Sequence, residues 1–174
     1  MNGAIPKPVE LPIPKFLQML RHECSEVDSV LVFDEVMTSR LSPSGAQGML
    51  NIIPDMTTLG KYMGGGMSFG AFGGHADIMQ LFDPRAVNAI PHAGTFNNNT
   101  LTMAAGVAAM KTVLTDEALR LLNQRGDKLR TELNRLCKQH NANIQFTGSG
   151  SLLALHATQK PIHSAKDLVR CDDR

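Results

Sequence analysis

Lys61 stands in the stretch Met56-Thr-Thr-Leu-Gly-Lys-Tyr-Met-Gly-Gly-Gly-Met67, with Gly60 before it and Gly64-Gly65-Gly66 just beyond. A lysine amine that is at least partly neutral condenses with a carbonyl to form a Schiff base. Glycines on either side leave room for a bulky, flat, anionic partner. Asp34 closes the run Ser29-Val-Leu-Val-Phe-Asp34, where a carboxylate is placed to keep a heterocyclic nitrogen protonated. Each residue also has a plain structural reading. Lys61 reads as a loop lysine beside a flexible turn, and Asp34 as a turn residue or cap at a strand end. A third stretch, His92-Ala-Gly-Thr-Phe-Asn-Asn-Asn99, precedes a helix and offers backbone amides and the Thr95 hydroxyl as a phosphate seat. Asn-rich turns before helices are commonplace, so this signal is weak by itself.

These residues need a frame that holds them. Residues 1–14 are Pro-rich and predict no regular element, whereas Lys15 to Glu26 carries Phe16, Leu17, Met19 and Leu20 at helical spacing. Ser29 to Asp34 is a short apolar run rich in β-branched residues, the pattern of a strand buried on both faces. Helix followed by buried strand predicts an α/β protein. In open parallel sheets the ligand crevice lies outside the carboxyl ends of the strands, which is where Asp34 falls. Ser42 to Ala46 reads as a loop, Met56 to Leu59 as a brief strand leading to Lys61, and Met67 to Gly74 as another. A short helix is expected over Ala76 to Phe82, stopped by Asp83-Pro84. Asn99 to Leu114 predicts a helix rich in small residues and buried over much of its surface. Thr115 caps a second helix that opens with acids and runs to about His140, with Leu119, Leu122, Leu129, Leu133 and Leu136 as its stripe. Asn143 to Phe146 and Ser151 to His156 read as strands around a Gly148-Ser-Gly150 turn, and the polar tail from Lys160 to Arg174 shows no closing element.

Composition excludes several functions. At 174 residues, with 43% hydrophobic and 19% charged side chains, the chain suits one globular domain with a modest core. A net charge of +1 gives no electrostatic case for nucleic acid or an anionic membrane. No apolar run approaches the ~18–20 residues of a membrane span, and the N-terminus lacks the pattern of a secretory signal. The three cysteines, Cys24, Cys137 and Cys171, lie far apart and read as reduced intracellular thiols, which sets the cytoplasm as the expected compartment. The six histidines never fall at i,i+4 spacing, so no metal site is expected. The glycines of Gly60-Lys-Tyr-Met-Gly-Gly-Gly66 match neither a phosphate-binding G-x-x-x-x-G-K-[ST] loop nor a strand-linked G-x-G-x-x-G.

A reactive lysine with an acidic partner for a ring nitrogen is what enzymes using pyridoxal 5′-phosphate (PLP) require. The segments "VLVFDEVMTS", "GAQGMLNIIPDMTTLGKYMGGGMSFGAFGG" and "HAGTFNNNTLTMAAG", in that order and spacing, resemble the class III PLP-dependent aminotransferases. Within that class they look most like the glutamate-1-semialdehyde 2,1-aminomutase branch. The resemblance implies the type I fold of PLP-dependent transferases, a mostly parallel sheet flanked by helices. Residues 1–114 would be the C-terminal part of the large PLP-binding domain. Residues 115–174 would be a linking helix and the beginning of a small C-terminal α/β domain. It implies that Lys61 carries the cofactor as a Schiff base and shuttles protons, that Asp34 pairs with the pyridine nitrogen, and that Val36 packs on the ring. Thr95 would bind the cofactor phosphate from the second subunit of a homodimer, and the triple glycine would bring backbone close to the crevice.

Met37 stands where many members of the class have Gln, as in the aminomutase branch, and Thr100 where many have Pro. The loop "TSRLSPSGAQ" differs from the usual aminomutase loop. Members of the class are considerably longer, and the resemblance begins part-way through their cofactor domain, so the chain reads as a fragment. A sheet lacking strands exposes unpaired edges and apolar faces, so the isolated chain is expected to bind PLP weakly and turn over little. The expected activity is transamination between an amino donor and a keto acid or aldehyde. An aminomutase and a non-catalytic remnant, pairing with a longer homologue, are the alternatives.

Overall fold

The computed structural model describes residues 13–162 and residue 167. Most of the Pro-rich start and most of the polar tail, Cys171 included, thus lie outside the described residues. Helix α1 spans Ile13–Glu26. It begins two residues earlier than periodicity suggests, because Pro14 falls in the first turn, where a missing N–H costs nothing. Strand β1 is Val32–Asp34, β2 is Met56–Gly60 and β3 is Gly70–Gly74. β1 pairs with β2 in parallel, with Asp34 opposite Thr58, and β2 pairs with β3 in antiparallel. The sheet is therefore mixed, not mostly parallel, among the described residues. The Asp55 carboxylate fixes its start, accepting from the Leu31 amide at 2.7 Å and from Arg21 Nη1 at 2.8 Å.

Between β1 and β2 the chain makes a 3₁₀ turn, Thr38–Leu41, and then helix α2, Gly45–Leu50, where the sequence suggested only loop. Two glycines in six residues conceal that helix from propensity. After β3 comes α3, Ala76–Met79, continued by a 3₁₀ turn to Phe82. Helix α4, Thr100–Thr112, is capped by Asn99, whose Oδ1 accepts from the Leu101 and Thr102 amides at 3.0 and 3.2 Å. Two expectations of burial fail. Val30 and Val32 are about half exposed, because β1 is an edge strand. On α4 only Thr102 and Gly106 are buried, while Leu101 is 69% exposed and Val107 53%. Among the described residues nothing covers those faces.

Helix α5, Asp116–Gln139, carries its predicted cap: Thr115 Oγ1 accepts from the Ala118 amide at 3.2 Å. Strands β4, Gln145–Ser149, and β5, Leu152–His156, form an antiparallel hairpin against it. The face of α5 that packs there is not the whole leucine stripe. It runs through Leu119, Gly126 and Arg130, while Leu129 is 53% exposed. Asn123 ties this unit to the first sheet, donating to the carbonyls of Arg40 and Leu41 at 2.9 and 3.0 Å. Arg40 Nη2 returns a bond to the Ser151 carbonyl at 3.0 Å. Among the described residues the buried apolar side chains are Leu41, Ala46, Ile52, Leu119, Leu152 and Ile162. Among the described residues no helix is long and apolar enough to cross a membrane, and Cys24 and Cys137 are free thiols.

Candidate active site

Parallel pairing of β1 with β2 brings the carboxyl end of one strand beside the last residues of the other. Asp34 is exposed there and its Oδ1 accepts twice, from the Val36 amide at 3.1 Å and from Thr58 Oγ1 at 2.9 Å. The first bond closes an Asx turn, so the structural reading of Asp34 as a turn residue is correct as far as it goes. It leaves the other oxygen over. Oδ2 accepts no hydrogen bond among the described residues, which suits a carboxylate that must meet an N–H from outside. The Val36 amide, then Thr58, and to a smaller extent the charge of Lys61, hold the Asp34 carboxyl below its ordinary acidity range.

Lys61 follows directly from Gly60, the last residue of β2, and is exposed. Its φ of 53° lies in the left-handed region, a strain of about 1 kcal/mol for a residue with a Cβ. The Tyr62 hydroxyl holds the next turn by donating to Ser39 Oγ at 2.9 Å. Val36 belongs to the same place: its Cγ1 lies 3.5 Å from where a Cβ on Gly60 would be. The structure thus brings Asp34, Val36 and Lys61 together.

Within the triple glycine, Gly65 meets a packing constraint from α4. A Cβ on Gly65 would sit 2.3 Å from the Ala105 carbonyl oxygen, and a Cβ on Gly106 would sit 2.6 Å from that of Met63. The small residues let α4 pack backbone to backbone against the turn carrying Lys61. They position the lysine from behind. Nothing in the sequence near Lys61 signals this, because α4 lies well downstream.

Thr95 lies in an exposed turn, residues 95–98, and among the described residues no hydrogen bond joins it to Asp34 or Lys61. The Leu101 and Thr102 amides at the helix start behind it are occupied by Asn99 Oδ1. A cleft of about 910 Å³ opens between this turn and the sheet, with Thr58, Gly70, Phe72, His92 and Asn97 among its walls. Sequence reasoning missed Glu35. Its side chain is 1% exposed, and its partners, Ala46 and Gln47, lie across a loop that hides the connection.

A lysine after one strand and a free carboxylate oxygen at the end of its parallel neighbour define an α/β protein with a lysine–carboxylate centre. Residues 9–172 match the model of the aminotransferase class-III family, and the chain belongs to that family. It is 54% identical over 161 residues to a β-phenylalanine transaminase of Variovorax paradoxus, covering 92% of this chain and 37% of that protein. The crystal structure described for a β-phenylalanine aminotransferase of the same organism superposes with a TM-score of 0.85, over 91% of this chain and 37% of that one. A transaminase solved with PLP bound is 31% identical, with a TM-score of 0.78, over 84% of this chain and 35% of that one. Glutamate-1-semialdehyde 2,1-aminomutase 2 of Lachnoclostridium phytofermentans is less similar than the Variovorax protein, at 42% over 149 residues, covering 84% of this chain and 34% of that protein. The expected leaning toward the aminomutase branch is therefore corrected in favour of the transaminases. The chain spans little more than a third of the length of these relatives. The family is PLP-dependent, and a lysine facing a carboxylate with one oxygen free is a donor set that fits that cofactor.

Proposed function

We propose that this chain forms the lysine-bearing part of a PLP-dependent transaminase. The observation that carries the reading is Asp34: its Oδ1 is anchored by Val36 and Thr58, its Oδ2 accepts no hydrogen bond among the described residues, and Lys61 contributes to its field. PLP, when bound, supplies an electron-withdrawing ring that accepts the electron pair of a broken C–H bond. The remaining work falls to side chains. Lys61 Nζ would hold the cofactor at its carbonyl carbon. Once displaced by the donor amine, it would move the proton between the amine-bearing carbon of the donor and that cofactor carbon, the reverse sequence serving the acceptor. Asp34 Oδ2 accepts from the protonated ring nitrogen and keeps that proton in place. Val36 packs on one face of the ring, where a stiff β-branched side chain holds its plane. The Thr95 hydroxyl donates to the phosphate of a neighbouring copy in a homodimer, a role its exposed turn permits. Residues 1–114 serve the cofactor, and residues 115–174 begin a smaller domain attached through Asn123 and Arg40.

The amino group passes from a donor to a keto acid or aldehyde. Similarity to a β-phenylalanine transaminase favours a β-amino acid as donor. The test is to incubate the protein with saturating PLP, fix the product with borohydride and map it by peptide mass. The adduct is expected on the peptide containing Lys61 and is lost in Lys61→Ala. No adduct at Lys61, or one spread over surface lysines, would sink the reading. Supplying β-phenylalanine and a keto acid then separates two activities, since a transaminase releases a new keto product and an aminomutase releases none.

A further inference from the structure

Glu35 sits between two residues of the proposed site, yet nothing above gives it a part in binding. Its carboxylate is fully buried, at 1% exposure, and fully partnered. Oε1 accepts from the Gln47 amide at 2.7 Å, and Oε2 accepts from the Ala46 amide at 2.9 Å and the Thr38 hydroxyl at 2.6 Å. The backbone of Glu35 is held as firmly. Its amide donates to the Thr58 carbonyl at 3.0 Å, and its carbonyl accepts from the Ser39 amide at 3.0 Å. Gly45 leaves space for the carboxylate, since a Cβ there would lie 2.6 Å from Oε1. Side chains alternate at a strand end, so with Asp34 and Val36 on one side Glu35 projects to the other.

We propose that Glu35 is a positioning residue: its buried carboxylate locks the turn after β1 to the start of α2, and so sets the direction in which Asp34 and Val36 meet the cofactor. This rests on the roles given above for Lys61 and Asp34. A cofactor contact works only when its supporting shell holds it within a fraction of an ångström. The bond from the Val36 amide to Asp34 Oδ1 reports whether the turn is held. A Glu35 that merely capped α2 would leave that bond unchanged.

Glu35→Gln keeps the shape, but its amide turns an NH₂ toward either the Ala46 or the Gln47 N–H. Thr38→Val is a milder second variant, removing one donor. Asp55→Asn is the control, a carboxylate that ties the same sheet together away from the site. Three quantities are measured: amide hydrogen exchange at Val36 without cofactor, the PLP dissociation constant, and the thermal midpoint. Glu35→Gln is expected to speed Val36 exchange and weaken PLP binding on the order of tenfold, with Thr38→Val doing both to a smaller extent. Asp55→Asn is expected to lower the thermal midpoint alone. Faster exchange at Ala46 and Gln47 with Val36 exchange and PLP affinity unchanged would overturn the positioning role. A wild-type protein without a Lys61 adduct would instead overturn the functional reading, and the two failures are distinct.

Discussion

At the scale of the residue, Asp34 divides its work between its two oxygens. One makes a turn and the other is left for a ligand, so the turn itself keeps the group charged. The sign follows from the direction of the shift. With its folded acidity below the ordinary value of 3.8, the carboxylate contributes stability that is fully present above that value and lost as pH falls through the lower one. The amide resonance of Val36, followed against pH, is expected to stay in its bonded position down through the ordinary carboxylate range and to move only in stronger acid. A midpoint at or above the ordinary value would contradict this. Asp34→Asn keeps the shape and cannot hold a ring proton as a charged partner does. Amino transfer is expected to fall by about a hundredfold or more, while borohydride still fixes PLP on Lys61. Loss of both together would mean that Asp34 serves the fold rather than the chemistry.

At the scale of the element, the turn that carries Lys61 depends on α4. Gly65 has φ of 61° and no room for a Cβ against the Ala105 carbonyl, whereas Gly66 has φ of 94° and open space around it. Gly65→Ala is therefore expected to cost about 2–4 kcal/mol, strain and overlap combined. Gly66→Ala, with strain alone, is expected to cost about 1–2 kcal/mol. Denaturant midpoints of the two variants check the order, and equal losses would refute the packing explanation. The same elements show what the sequence discloses. Helix α5 was legible because its signals are local: the Thr115 cap, Asp116 and Glu117 in the first turn, and a helical period. Asp34, Lys61 and the strands that bear them were legible as well, since a strand's apolar run and its terminal polar residue are neighbours in the chain. The packing of Gly65 was not, because Ala105 belongs to a distant segment. Nor was the exposure of β1 and α4, since an apolar run records what a segment would bury and not what lies beside it. Glu35 stayed hidden for the same reason, its partners being supplied by a helix that propensity does not announce.

At the scale of the whole molecule, the exposed turn that carries Thr95 is the feature that any account of the site must meet. Thr95 lies in an exposed turn beside Phe96, which is 84% exposed, and ahead of an α4 face on which Val107 is 53% exposed. Apolar surface of that extent next to a polar ligand turn is what an interface between copies needs. If the turn serves a neighbour, the two halves of one cofactor site come from two chains, and variants damaged in different halves must repair each other. Lys61→Ala provides no amine, and Thr95→Ala is expected to lose about 1.5–3 kcal/mol of PLP binding through its missing phosphate hydrogen bond. Refolded together, they form mixed dimers in which Lys61 of one copy meets Thr95 of the other. A PLP site tighter than that of either variant alone, titrated calorimetrically and fixed by borohydride on Lys61, is expected to appear on mixing. Should mixing restore nothing, Thr95 does not act across an interface, and the dimer loses its role in the site.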